Sequence, residues 1–225
     1  MKDKWFLSFT KACYQDRFLF LIIFIVALIV LGPFIDGYIQ LRLFMNLFFS
    51  IIFVITIYAV SQKRLHIIIA VILLIPTLLA VWIPDIPKYN TLLTIGYICG
   101  LVVFAFAVIS ILNYIFTKET VTRQTISAAV AVYLLLAVMW TFIYRLIENL
   151  YPGSFAVAHE KLQDAPNIYL YFSLVTITTL GYGDISPTGG QAVSMAVLEA
   201  VTGQIYLVVV VAWFVGMYVS KKSKQ

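Results

Sequence analysis

The sequence predicts an all-α membrane protein, six spanning helices with a re-entrant segment between the fifth and the sixth, and three observations predict it. Composition is the first: 63% of the 225 residues are hydrophobic and 11% are charged, where a soluble domain carries about 45 to 50% apolar and about 25% charged residues. The second is a set of long uncharged runs, each near the roughly 20 apolar residues that a helix needs to cross a hydrocarbon core about 30 Å thick. The third is the uneven placing of the basic residues about those runs, since cytoplasmic loops collect Lys and Arg. A mean hydropathy of +1.01 excludes a disordered chain. Two cysteines, Cys13 and Cys99, are too few for a disulfide scaffold.

Residues 18–35, 43–62, 65–84, 89–117 and 124–144 hold no Asp, Glu, Lys or Arg, and 185–220 is interrupted only by Glu199. The first run is not a cleaved signal, because no small-x-small site follows it and Gly32 leads into Pro33-Phe34. The third carries Pro76 near its centre. Residues 165–183 are also uncharged, and hydropathy alone would make them a seventh span. Charge decides against that. With six spans and the N-terminus inside, Lys2, Lys4, Lys11, Arg17, Lys63, Arg64, Lys118, Arg123, Lys221, Lys222 and Lys224 lie on the cytoplasmic side. Arg42, Lys88, Arg145 and Lys161 lie on the other, so the contrast is 11 against 4. A seventh span carries the last three lysines across and leaves 8 against 7, which abandons the bias.

The segment's own residues agree. Pro166 and Asn167 make a helix start, and the apolar part from Ile168 to Thr179 is 12 residues, roughly 18 Å at 1.5 Å per residue, too short to cross. Gly181-Tyr182-Gly183 then ends the regular helix in favour of a glycine-permitted extended backbone. Non-helical backbone at membrane depth is tolerated where it is buried in protein or lines a water-filled path. A half-helix followed by exposed carbonyls is the architecture of an ion site.

Residues 176–184 read Thr-Ile-Thr-Thr-Leu-Gly-Tyr-Gly-Asp, which resembles the potassium-channel signature T-x-x-T-x-G-Y-G. The resemblance covers residues 126–216 and extends through Asp184-Ile-Ser-Pro187 to Glu199-Ala-Val-Thr-Gly203-Gln-Ile-Tyr206, which is similar to the inner helix of bacterial members. It implies that Thr179, Leu180, Gly181, Tyr182 and Gly183 form a K+-binding filter. Carbonyls of Thr179 to Tyr182 would replace the ion's hydration shell, with the Thr179 hydroxyl as the innermost ring. One chain carries one such strand, so the resemblance implies a homotetramer around a central pore. No cofactor is implied other than K+ ions in the filter. Consecutive carbonyls can face one way if alternate residues visit left-handed backbone, which glycine allows without steric cost.

Thr176, Tyr171 and Asp184 are the expected support behind the filter. Some members place a glutamate before the signature's first threonine, paired with the following aspartate. Here that position is Val175, so Asp184 needs another partner and the Tyr171 hydroxyl is expected to supply it. Some relatives offer a tryptophan donor to the filter tyrosine, where this chain has Phe172.

Glu199 is the one charge within the last span, and an intramembrane carboxylate is costly unless it is partnered. It either fixes packing through a hydrogen bond to the pore helix or a neighbouring subunit, or acts in gating or cation attraction. Gly203, four residues on and so on the same helical face, is a hinge or a close-packing site. Gln204, Leu207, Val211 and Val215 recur at helical spacing. They line the cavity, where the apolar three would gate by dewetting, or they form a lipid-facing or packing stripe.

Asp36, Asp85, Glu148, Glu160, Asp164 and Asp184 would face the outside, most of them as solvated loop charge. Arg145 and Glu148 are spaced to pair. His66 lies beside Lys63 and Arg64 as an interfacial residue, while Trp82, Tyr89 and Tyr97 read as an aromatic belt. No Cys, His and carboxylate cluster has zinc spacing and no Gly-rich phosphate loop occurs, so an enzyme and a nucleic-acid partner are not expected.

The plan resembles the voltage-gated channels, whose fourth helix supplies about 3 to 4 gating charges per subunit. Residues 89–117 have no arginine, so steep voltage activation is not expected. The resulting division is a cytoplasmic tail 1–17, a voltage-sensor-like four-helix domain 18–116, a cytoplasmic linker 117–125, a pore domain 126–218 and a tail 219–225. No soluble ligand domain is expected in this chain. The expected protein is a potassium-selective channel in the plasma membrane (the inner membrane in a bacterium), with membrane lipid around it and both termini cytoplasmic. The alternatives are a non-selective cation channel and a non-conducting pore-like subunit or scaffold.

Overall fold

The computed structural model describes residues 16–31, 34–35, 38–60, 64–83, 90–158 and 168–222. The expected helix start at Pro166-Asn167, the aromatic Tyr89, Cys13, the loop charges Asp36, Lys63, Asp85, Lys88, Glu160, Lys161 and Asp164, and the charges of 1–15 and 223–225 lie outside the described residues, as do the side chains of Arg64, His66, Lys221 and Lys222. The chain forms seven helices and one small ribbon among these residues. In order they are α1 (Arg17–Leu31), α2 (Tyr38–Val60), α3 (Arg64–Trp82), α4 (Asn90–Phe116), α5 (Arg123–Leu150), β1 (Phe155–Val157), α6 (Ile168–Ile177), β2 (Ile185–Pro187) and α7 (Gly190–Lys222).

Four of the described helices are long and apolar enough to cross a membrane: α2 through Ile39–Ile57, α4, α5, and α7 through Gly190–Ser220. Helix α1 has 15 residues, roughly 22 Å at 1.5 Å per residue. It stops at Leu31, ahead of the Gly32-Pro33 step in the sequence, and a proline disfavours helical backbone in the residue before it. Helix α3 has 19 residues and keeps Pro76 inside it.

Helix α5 is the hub, packing against α1, α4, α6 and α7. Its contact face alternates small and large residues, with Ala128, Ala131, Val132, Leu135, Ala137 and Val138 all fully buried. It starts at Arg123, three residues before the expected domain boundary, because Thr122 caps it. The Thr122 side chain accepts from Thr125 N at 3.2 Å and the Thr125 hydroxyl accepts from Thr122 N at 2.8 Å, which satisfies two otherwise orphaned donors. Phe53 of α2, Phe104 of α4 and Phe142 of α5 meet as a ring cluster with centroids 4.7 to 5.8 Å apart.

Glycine sets the α3–α4–α5 spacing. A Cβ on Gly96 would lie 2.2 Å from Ala80 Cβ and 2.6 Å from the Pro76 carbonyl oxygen, and one on Gly100 would lie 2.7 Å from the Phe142 ring. Gly96 and Gly100 are four residues apart on α4, the small-xxx-small pattern by which helices approach closely in lipid. Tyr97 lies between them and is only 2% exposed. It is a core residue and not part of an aromatic belt, because that tight seam turns this face of α4 inward. Trp82 does sit at the periphery, 43% exposed, with its indole N–H donating to Ser50 Oγ at 3.2 Å.

The all-α expectation needs one amendment. Strands β1 and β2 pair antiparallel, with Phe155 opposite Pro187, Ala156 opposite Ser186 and Val157 opposite Ile185. Strands of three residues are too short for a period-two pattern to show in sequence. The ribbon joins the loop after α5 to the chain after α6, and the last helix therefore begins at Gly190 and not at 185.

Candidate functional site

Helix α6 has 10 residues, roughly 15 Å, and lies between α5 and α7. Its apolar side chains Leu170, Phe172, Val175 and Ile177 are buried, so it is enclosed by protein. At its C-terminal end the chain turns back and supplies the donors that the last carbonyls lack. Thr178 N donates to Leu174 O at 3.2 Å and Thr179 N to Thr176 O at 2.9 Å, while Leu180 N and Gly181 N both reach Val175 O, at 2.9 and 3.3 Å. The Ile177 carbonyl accepts from the Tyr133 hydroxyl of α5 at 3.1 Å.

From that anchor the backbone adopts an alternating conformation. Thr179 has φ 58°, Gly181 φ 58° and Gly183 φ 77°, with Leu180 and Tyr182 between them outside the left-handed region. Alternation of this kind is the backbone condition for successive carbonyls to face one side. Glycine meets it freely at two of the three positions; Thr179, a β-branched residue, meets it at a cost. All five residues are exposed, Leu180 by 55% and Tyr182 by 66%. A single chain thus presents an apolar, glycine-bearing segment on its surface.

Beyond it, Asp184 is tied on three sides. Its Oδ2 accepts from the Tyr171 hydroxyl at 2.5 Å, the contact expected from the sequence. Its Oδ1 accepts from Ile185 N at 3.0 Å, and its carbonyl accepts from Ala158 N at 2.8 Å. Behind the segment this chain packs hydrocarbon. Val175 is buried, and Phe172 meets Tyr144 and Phe155 edge-on at 4.9 and 5.4 Å. Glu148 has a partner set that the spacing argument did not foresee: its carboxylate accepts from Gly153 N at 2.7 Å and Ser154 N at 3.1 Å. Ser154 in turn accepts, through its carbonyl, from Thr188 N at 2.8 Å. The loop after α5 is thereby sewn to the chain that follows the 179–183 segment.

Helix α7 has two faces. Glu199, Gly203, Tyr206 and Val210 are buried at helical spacing. Glu199 is fully buried and accepts from the Tyr144 hydroxyl of α5 and the Ser173 hydroxyl of α6. Gly203 is a packing position, since a Cβ there would lie 2.7 Å from the Ile177 carbonyl oxygen. Tyr206 donates to Ala129 O at 2.6 Å and stacks on Tyr133, centroids 6.0 Å apart. An adjacent face carries Gln204, Leu207, Val211 and Val215, all exposed. Tyr133, Tyr144, Ser173 and Tyr206 did not stand out in the sequence. The available signal was that a tyrosine hydroxyl inside an apolar span needs a partner.

Helix α4 bears no charged residue along Asn90–Phe116. Among the described residues no three His, Cys, Asp or Glu side chains gather as a metal-ligand cluster.

A protein-family model described as "Ion channel" matches residues 98–220, more than half of the chain. The chain belongs to this ion-channel family. The match runs from within α4 to near the end of α7, so it contains α5, the ribbon, α6 and the whole 179–183 segment. It reaches further toward the N-terminus than residues 126–216, which carry the signature resemblance. Searches among curated proteins and among solved structures each find no match. In this ion channel, Glu199, Gly203 and the Tyr171–Asp184 pair all lie inside the matched region.

Proposed function

We propose that this chain is the subunit of a homotetrameric, potassium-selective channel in which four copies of Thr179–Gly183 line the ion path. The observation that carries the reading is the alternating left-handed backbone at Thr179, Gly181 and Gly183, directly after a half-helix and exposed on the single chain. Four such segments around an axis would place rings of carbonyl oxygens about a dehydrated cation, and would cover Leu180 and Tyr182 with protein. K+ is then cargo, and no other cofactor is required.

In this reading α1 to α5 and α7 are six spans, α6 is the re-entrant pore helix, and both termini are cytoplasmic by the bias of basic residues. Its place is the plasma membrane, or the inner membrane of a bacterium. The exposed stripe Gln204, Leu207, Val211 and Val215 faces the central cavity, with the apolar three as a dewetting constriction. The charge-free α4 makes steep voltage activation absent.

The test is flux from liposomes holding purified protein, with outward K+ and outward Na+ gradients compared. K+ flux well above Na+ flux is expected. Equal fluxes would mean a non-selective cation pore, and no flux a non-conducting pore-like subunit or scaffold; either overturns the proposal.

A further inference from the structure

We propose that Glu199, gripped by Ser173 and Tyr144, is a positioning residue for ion selection. It fixes α6 between α5 and α7, and so sets the placement of the 179–183 segment that α6 carries. The inference rests on the conduction reading above and concerns residues outside the ion path.

Glu199 has no exposed surface, and among the described residues its partners are two hydroxyls from two other helices. Each carboxylate oxygen has one donor, which is the condition for keeping such a group inside a membrane. The arrangement therefore ties three helices at one point. One turn further along α7, Gly203 presses on the carbonyl of Ile177, leaving no space for a Cβ. Ser173 and Ile177 are likewise one turn apart on α6. Two successive turns of α7 thus engage two successive turns of α6, and a shift of either helix must be shared by the other.

The segment cannot escape that shift. Leu180 N and Gly181 N are both bonded to the Val175 carbonyl, which lies between Ser173 and Ile177 on α6. Displacing α6 carries these two residues with it. A carbonyl cage distinguishes cations by the number and placement of its oxygens, so loosening the clasp is expected to degrade discrimination.

Proton counting separates hydrogen bonding from charge. Ser173 has a single hydroxyl hydrogen and two acceptors in reach, Glu199 and the Ala137 carbonyl at 2.8 Å. A glutamine at 199 would accept from Tyr144 and donate to Ser173, whose own hydrogen then serves Ala137. The isosteric neutral variant keeps every contact, whereas alanine removes them.

The test is the K+/Na+ permeability ratio of the full chain in planar bilayers, from reversal potentials, for wild type, Glu199→Gln, Glu199→Ala and the double variant Ser173→Ala, Tyr144→Phe. Glu199→Gln is expected within about twofold of wild type, and the other two about tenfold lower, since each loses buried hydrogen bonds. A wild-type ratio in Glu199→Ala, or a loss in Glu199→Gln as large as in Glu199→Ala, overturns the inference. If Glu199→Ala does not assemble, the double variant decides, and a wild-type ratio there is the overturning result. A wild-type channel that does not discriminate at all sinks the conduction reading and this inference with it. A selective wild type with insensitive variants sinks the inference alone.

Discussion

Thr179 is where the backbone of the site is most strained. At φ 58° a non-glycine residue bears about 1 to 2 kcal/mol of steric cost, held in place by the donors that cap α6. Gly181 shares that φ without the cost, so Gly181→Ala is expected to add a similar penalty per subunit and to lower selective current, read as channel open probability in bilayers. Gly203→Ala would force a methyl against the Ile177 carbonyl. We expect it to destabilise the folded protein by about 1 to 3 kcal/mol, measured as a lower midpoint of thermal unfolding in detergent. The Tyr171–Asp184 contact was legible in the sequence, because Val175 stands where some members of the resembled family place a glutamate and Tyr171 offers a hydroxyl on the same short helix. The Glu199 partners were not. Nothing in residue spacing says that Tyr144 and Ser173, separated from Glu199 by 55 and 26 positions, converge on one carboxylate.

Among elements, the short α6 was readable from charge and length together, since a seventh span would have erased the bias of basic residues and the 12 residues from Ile168 to Thr179 are too few to cross a bilayer. The cap of α5 was not, because the residue facing Thr122 in the capping box is Thr125 and not the usual Glu or Gln. The Gly96–Gly100 seam is a pattern that the sequence held in plain form, hidden by the abundance of other small residues in the spans. It explains why Tyr97 is buried although a tyrosine near a span's end ordinarily marks an interface. Gly96→Leu is expected to force α4 away from α3 at Ala80 and Pro76 and to cost about 1 to 3 kcal/mol, read as a fall in the unfolding midpoint. The control is Ile109→Leu on the exposed side of α4, which is expected to leave the midpoint unchanged.

For the whole molecule, the formal charge of +5 fits the proposed topology, in which basic residues gather at the cytoplasmic side of six spans, while α4 carries none. A channel so built moves little charge on its own when the field changes. Gating currents recorded with permeant ions replaced are expected to be below detection, and a gating charge near 3 to 4 per subunit would contradict the placement. The exposed apolar face of α7, with Val197, Ile205 and Val208 each more than half exposed, fits burial against neighbouring copies in the proposed tetramer. The measurement that tests the central claim most directly is the reversal potential of the reconstituted channel under a tenfold K+ gradient with Na+ opposing it. The account predicts a value close to the K+ equilibrium potential, about 59 mV per tenfold gradient of a monovalent ion; a reversal potential near zero would contradict it.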